Sequence, residues 1–204
     1  MNLVQRVQDI LLRPKHTWPE IEAESTDAAT LYREYVLILA AIPAIAGFIG
    51  LSIIGAGAFG VSFRLPIVSG LVQAIVSYGL SLVMVYVLAL IVDALAPSFG
   101  GQRSPIQALK LVAYASTAGF VGGIFGLLPS LAVLGALVGL YSVYLFYTGV
   151  PVLMKCPADK ALVYTVVFAL CAIVASLVLG ALLSVFTPAP RMPVGALPLA
   201  LPLA

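Results

Sequence analysis

Residues 141–167 read YSVYLFYTGVPVLMKCPADKALVYTVV. An apolar run with tyrosines at 141, 144 and 147 reaches Pro151 and stops at Lys155. Pro157, Asp159 and Lys160 follow at once, and the apolar run resumes at Leu162. Proline is costly inside a soluble helix. It is tolerated in a membrane helix, where neighbouring groups satisfy the carbonyl it frees. The stretch therefore reads as the end of one membrane helix, a turn, and the start of the next. Lys155 and Lys160 suit a turn on the cytoplasmic side. Tyr147 and Tyr164 suit the membrane interface, whereas Tyr141 and Tyr144 lie deeper and need hydroxyl partners inside a bundle.

Composition extends that reading to the whole chain. Of 204 residues, 62% are hydrophobic and 9% charged, with a mean hydropathy of +1.15. A soluble domain carries about 25% charged residues, so this chain has too few polar groups to cover its apolar bulk in water. The net charge of +2 is too small to suggest nucleic acid. Cys156 and Cys171 are too few for a disulfide framework. The N-terminal stretch is charged throughout and has no cleavable signal pattern, so the first spanning helix is expected to direct insertion.

A spanning helix needs about 20 predominantly apolar residues, and five segments qualify: 35–63, 68–95, 106–128, 130–154 and 162–186. The fold class is thus all-α, a polytopic integral membrane protein with a bundle of five transmembrane helices. Ser104–Pro105 makes an N-cap and first-turn pair for the third segment. The short LLPS break forces the third and fourth segments into a hairpin. Lysine and arginine distribution sets the orientation. Arg6, Arg13, Lys15, Arg33, Arg103, Lys110, Lys155 and Lys160 fall on one side, and Arg64 and Arg191 on the other. The N-terminus is therefore expected in the cytoplasm and the C-terminus outside.

Three regions follow. Residues 1–34 form a cytoplasmic segment whose LVQRVQDIL places Leu3, Val7 and Ile10 on one helical face and Gln5, Arg6 and Asp9 away from it. This suits a short helix lying on the membrane or packed on the protein's own loops, with Trp18 at headgroup depth and the acidic EIEAESTD as a solvated connector. Residues 35–186 hold the five spans. Residues 187–204 form a proline-rich tail expected to be mobile.

Three stretches carry a resemblance. YSVYLFYTGVPVLMKCPADKALVYTVV, LLRPKHTWPEIEAE and FGGQRSPIQALKLVAYAS resemble blocks of the bacterial Yip-one domain proteins, named for Ypt/Rab-interacting membrane proteins. The resemblance covers about residues 1–186 and implies five spans, a cytoplasmic N-terminus and a compact bundle. The family often has a proline after the Tyr-Ala pair of the third helix. Here Ser116, Thr117 and Ala118 stand instead, which weakens any expected kink. Rab-type GTPase binding, known for eukaryotic relatives, is not carried over, because the N-terminal region responsible for it is not recognisable.

No catalytic set is legible. G-x-S-x-G and H-E-x-x-H are absent, and His16 is a lone histidine. Cys156 lies beside Lys155, which leaves open a lowered thiol pKa against the plainer reading of an inert loop thiol. No metal set or cofactor is expected. Two charges enter the spans, Asp93 at the end of the second and Lys110 about 7–9 Å into the third. They are expected to form an ion pair fixing that hairpin, the alternatives being Lys110 snorkelling alone to the interface and a place on a solute or proton pathway. Tyr114, Ser116, Thr117, Tyr141, Tyr144 and Thr148 could line a polar path. Gly119 and Gly123, Gly122 and Gly126, and Gly135 and Gly139 are each four apart, a spacing that lets the third and fourth helices approach closely. Pro151, Lys155, Pro157, Asp159 and Lys160 form the cytoplasmic turn. The leading expectation is a non-enzymatic inner-membrane protein that organises membrane or recruits partners. The alternative is a small permease or channel for a polar solute or lipid. The expected partners are the lipid bilayer and either other membrane proteins or a second copy of the chain, with no nucleic acid.

Overall fold

A computed structural model describes residues 2–58 and 61–186. Two short helices, α1 (Leu3–Leu12) and α2 (Pro14–Ala23), precede the spans. Asn2 caps α1 by accepting from the Val4 N–H, and Pro14 occupies the first turn of α2, where its missing N–H costs nothing. The spans are α3 (Ala28–Ile54), α4 (Ile67–Leu95), α5 (Pro105–Leu127), α6 (Ala132–Leu153) and α7 (Ala158–Phe186). Each is long and apolar enough to cross a membrane. The expected tail, 187–204, lies outside the described residues.

The first span differs from its expected limits of 35 and 63. It opens at Ala28 and ends where Gly55 takes a left-handed φ of 92°. A small antiparallel hairpin follows, β1 (Ala56–Ala58) paired with β2 (Val61–Phe63). Arg64 Nε then donates back to the Ile54 carbonyl at 3.2 Å, satisfying an acceptor that the helix end leaves open. Apolar composition alone cannot separate such a hairpin from the end of a helix.

Centrality distinguishes the spans. The apolar window of α5 is 61% buried, against 6% for α7. α5 packs against α3, α4 and α6, while α7 leans on α4 and α6 from outside. The helix of α5 breaks at Ser116, although no proline stands there. Ser116 Oγ donates to the Val112 carbonyl four residues earlier at 2.7 Å, a bond that bends helices. Beyond Gly122 the chain tightens into a 3₁₀ turn over Gly123–Leu127.

The glycines of α5 serve two seams. A Cβ on Gly122 would stand 3.0 Å from Val138, and one on Gly135 would stand 3.2 Å from the Gly122 carbonyl, so these two join α5 to α6. A Cβ on Gly123 would meet Pro43 Cβ at 2.5 Å, and Gly126 approaches Gly47, so these two face α3. Gly119 makes only ordinary contact with Ser142, and nothing lies within 4 Å of a Cβ on Gly139. The four-residue spacing therefore does not put all six glycines on one seam. The 3₁₀ turn after Gly122 rotates the later pair toward α3, and Gly139 faces open space.

Candidate functional site: the face capped by the N-terminal helices

The large buried side chains concentrate at one end of the bundle, where α1 and α2 cover it. Trp18, Lys110, Phe146 and Tyr164 are all fully buried there. α2 lies on α6, and α1 lies on α2 and α5. The N-terminal helices are thus packed on the protein. Trp18 is not a headgroup anchor. Its indole Nε1 donates to Thr148 Oγ1 at 3.0 Å, and its ring fills the space left by Gly149. A Cβ at Gly149 would come within 2.7 Å of Trp18 Cε2 and 2.6 Å of Leu111 Cδ1.

Of the residues expected to line a polar path, Tyr141 and Thr148 hold this cap. Tyr141 donates to the Leu11 carbonyl at 2.8 Å. Thr148, having accepted from Trp18, donates to Leu145 O at 2.9 Å. Thr117 is fully buried and shares a hydrogen bond of 2.6 Å with the Tyr35 hydroxyl. Tyr114 stacks at a tilt on Tyr35, with centroids 4.5 Å apart. Ser116 is turned back on its own helix. Tyr144 stacks on Tyr141 and stays 42% exposed on the outer surface. A buried hydroxyl needs a partner, and the Leu11 carbonyl at the end of α1 supplies that of Tyr141.

Asp93 and Lys110 do not meet. Lys110 Nζ donates to the Ile21 carbonyl at 2.8 Å and to the Glu24 carbonyl. Both acceptors lie at the end of α2, where carbonyls lack helical partners and the helix dipole is negative. Lys110 thus acts as a C-cap for a helix more than eighty residues earlier in the chain. Asp93 Oδ1 is buried without a hydrogen-bond partner among the described residues. Sequence adjacency of α4 and α5 said nothing about α2, which takes the lysine.

Arg6 was placed on the polar side of α1, yet it is 5% exposed. It pairs with Glu24 and, at 3.8 Å, with Glu20, and its guanidinium carbon lies 6.0 Å from the Tyr114 ring centroid. The acidic stretch read as a solvated connector is its counter-charge. An arginine followed within twenty residues by several glutamates was the available signal. A polar cavity of about 250 Å³ opens beside this group, lined by Arg6, Glu24, Glu34, Tyr35 and Tyr114.

The two turns at this end interlock. Gly100 adopts φ 75°, and Gly101 approaches so closely that a Cβ would lie 2.8 Å from the Met154 carbonyl. Gln102 N donates to that carbonyl at 2.8 Å. The 151–160 turn contains Pro151 in the last turn of α6, Lys155 at φ 52°, and exposed Pro157, Asp159 and Lys160. Lys155 pairs with Glu22 at 2.7 Å. Tyr164, expected at the interface, is buried instead: it stacks on Phe99 and donates to the Val92 carbonyl. Burial pushes the Cys156 thiol above its ordinary pKa, with Asp159 adding to the rise and Lys160 opposing it. Among the described residues, no group of three metal-ligating side chains is placed to hold an ion.

The stretches 11–24, 99–116 and 141–167 therefore converge on one face. The Yip1 domain matches residues 9–188, which take in all three. The chain belongs to the Yip1 domain family. Similar proteins include the inner membrane protein YohC of Escherichia coli K12 and its counterpart in Escherichia coli O6:H1. Each is 26% identical over 166 residues, covering 79% of this chain and 85% of the relative. No solved structure matches the chain. In this member of the Yip1 family, those stretches join the N-terminal helices to the bundle and the turns at that end to one another.

Proposed function

We propose that the protein is a non-enzymatic, multi-pass protein of the bacterial inner membrane whose capped face is a cytoplasmic platform for other membrane proteins. Family membership, five membrane-length helices and relatives named as inner membrane proteins support the location. The excess of lysine and arginine at the capped end supports a cytoplasmic N-terminus and an outward C-terminus. One observation carries the platform reading. Lys110, Tyr141 and Thr148, which a permease would need for its lining, are occupied in tying α1 and α2 to the bundle. The face so formed is held in one shape and exposes Arg13, Lys15, Arg103 and Lys160. Conserving shape while presenting charge suits recognition of an acidic partner surface.

A second reading, a permease for a polar solute, draws on the polar cavity beside Arg6. The cavity is walled by Tyr35, whose hydroxyl is hydrogen-bonded to buried Thr117, and by the ring of Tyr114, which favours the platform. The test is affinity capture from native membranes in mild detergent, paired with solute flux in proteoliposomes. Reversing Arg13, Lys15 and Arg103 to glutamate should strip the captured proteins without loss of thermal stability. Solute flux by the wild type that Lys110→Met abolishes would transfer the assignment to the permease. Orientation is read separately. A membrane-impermeant thiol reagent applied to intact cells should label Arg64→Cys and spare Gln102→Cys, and the reverse pattern would invert the topology.

A further inference from the structure

Away from the capped face, α5, α6 and α7 do not close on one another. They leave a cleft of about 550 Å³ whose walls include Ser116 and Gly119 of α5, Gly139 and Ser142 of α6, and Ala172 and Ser176 of α7. We propose that this cleft binds one acyl chain of a membrane phospholipid.

Depth comes first. Gly119 lies 14 residues from Pro105 at the start of α5 (119 − 105), Gly139 lies 14 from Leu153 at the end of α6 (153 − 139), and Ala172 lies 14 from Ala158 at the start of α7 (172 − 158). At 1.5 Å per residue all three stand about 21 Å from the capped end of their helix. The cleft is therefore a belt at one level, within the roughly 30 Å of hydrocarbon that the spans cross. Whatever enters it sideways at that level is apolar.

The chemistry of the walls agrees. The serine hydroxyls are engaged within the protein. Ser116 donates to Val112 O at 2.7 Å, Ser176 donates to Ala172 O at 2.7 Å, and Ser142 Oγ accepts from the Gly119 N–H at 3.1 Å. Phe120 and Phe168 supply ring surface at the back. No side-chain oxygen or nitrogen of the lining residues appears among the buried atoms left without a partner. A polar solute would find only the remaining capacity of three serine hydroxyls to replace its water.

Size selects among apolar occupants. A helix is about 10 Å across, so 550 Å³ would admit little more than one turn of a partner helix. An apolar cavity of about 150 Å³ holds one benzene, so this cleft has room for about twenty carbons. Small residues on every wall keep it open, and a Cβ on Gly139 would meet nothing within 4 Å. α7 remains exposed at Leu170, Ile173, Val174 and Leu177, so lipid has direct access past it.

The test uses the full-length protein in phosphatidylethanolamine–phosphatidylglycerol vesicles containing a phosphatidylethanolamine with a mid-chain diazirine. After photolysis, adducts are mapped by mass spectrometry. Adducts at 139–143 and 169–176 should exceed those at Ile75 and Val83, equally exposed on α4, several-fold. Gly139→Leu, and separately Ala172→Leu, should cut the cleft adducts several-fold while leaving those at Ile75 and Val83 and the thermal midpoint unchanged. Two variants on different walls guard against one that fails to fold. Adducts spread in proportion to exposure, or unchanged by filling the cleft, would overturn the proposal. So would efficient Ser176→Cys disulfide dimers with the probe excluded, which would assign the cleft to a second copy.

Discussion

Replacing Trp18 with alanine should release the N-terminal helices without unfolding the spans. Trp18 is fully buried, rests on Gly149, and donates to Thr148. Truncating a buried tryptophan costs about 3–5 kcal/mol. Since about 1.4 kcal/mol corresponds to a tenfold change, the undocked population should rise by about two to three and a half orders of magnitude. Trp18→Phe keeps most of the ring and loses the N–H. Thr148 still donates to Leu145 O, so no buried hydroxyl is orphaned, and the cost should be about 1 kcal/mol, or roughly fivefold. Hydrogen–deuterium exchange in detergent measures both, read on the amides of residues 3–23 with residues 85–92 of α4 as internal reference. Exchange in 3–23 should accelerate strongly in Trp18→Ala and slightly in Trp18→Phe, with the reference unchanged. If Trp18→Ala stays within fivefold of wild type, the cap is not anchored there. An equal rise in the reference would mean that the cap and the bundle unfold as one unit.

Three further outcomes follow from the geometry. Lys110→Met leaves the Ile21 and Glu24 carbonyls without their donor and should lower stability by about 1–3 kcal/mol. Combined with Asp93→Asn its effect should be additive within about 0.5 kcal/mol, and a larger coupling in thermal denaturation would restore the Asp93–Lys110 pair. Gly123→Leu must displace Pro43, whose backbone Cα would lie 2.9 Å from the new Cβ, so overpacking should cost about 1–3 kcal/mol. Gly139→Leu has open space and should leave the thermal midpoint near wild type, and equal losses at the two would refute the assignment of seams. The thiolate is the reactive form of a cysteine, and burial raises the pKa of Cys156. Its maleimide labelling at pH 8 should lag that of an exposed Gln102→Cys and accelerate only above the ordinary thiol range, whereas faster labelling at neutral pH would contradict the burial.

Composition and apolar run length determined the class of the molecule. With 9% of residues charged, the chain can bury its backbone only as helices in lipid, and four of the five span limits are legible to within a few residues because charge and proline end them sharply. The exception is the first span, where Gly55 and the hairpin are as apolar as the helix they follow. The resemblance of 11–24, 99–116 and 141–167 to one family was also open to reading. Their meeting on one face was not. Hydrogen bonds such as Lys110 to Ile21, Trp18 to Thr148 and Tyr141 to Leu11 join residues about ninety or more positions apart, and no local period encodes them. The sequence made Lys110 a buried cation in need of acceptors, and Asp93 was the nearest in chain order. Tertiary packing brought the open carbonyls of α2 closer. Likewise Arg6 reads as polar on a helical wheel, because a wheel describes one helix in water and cannot include the glutamates and tyrosine that fold over it.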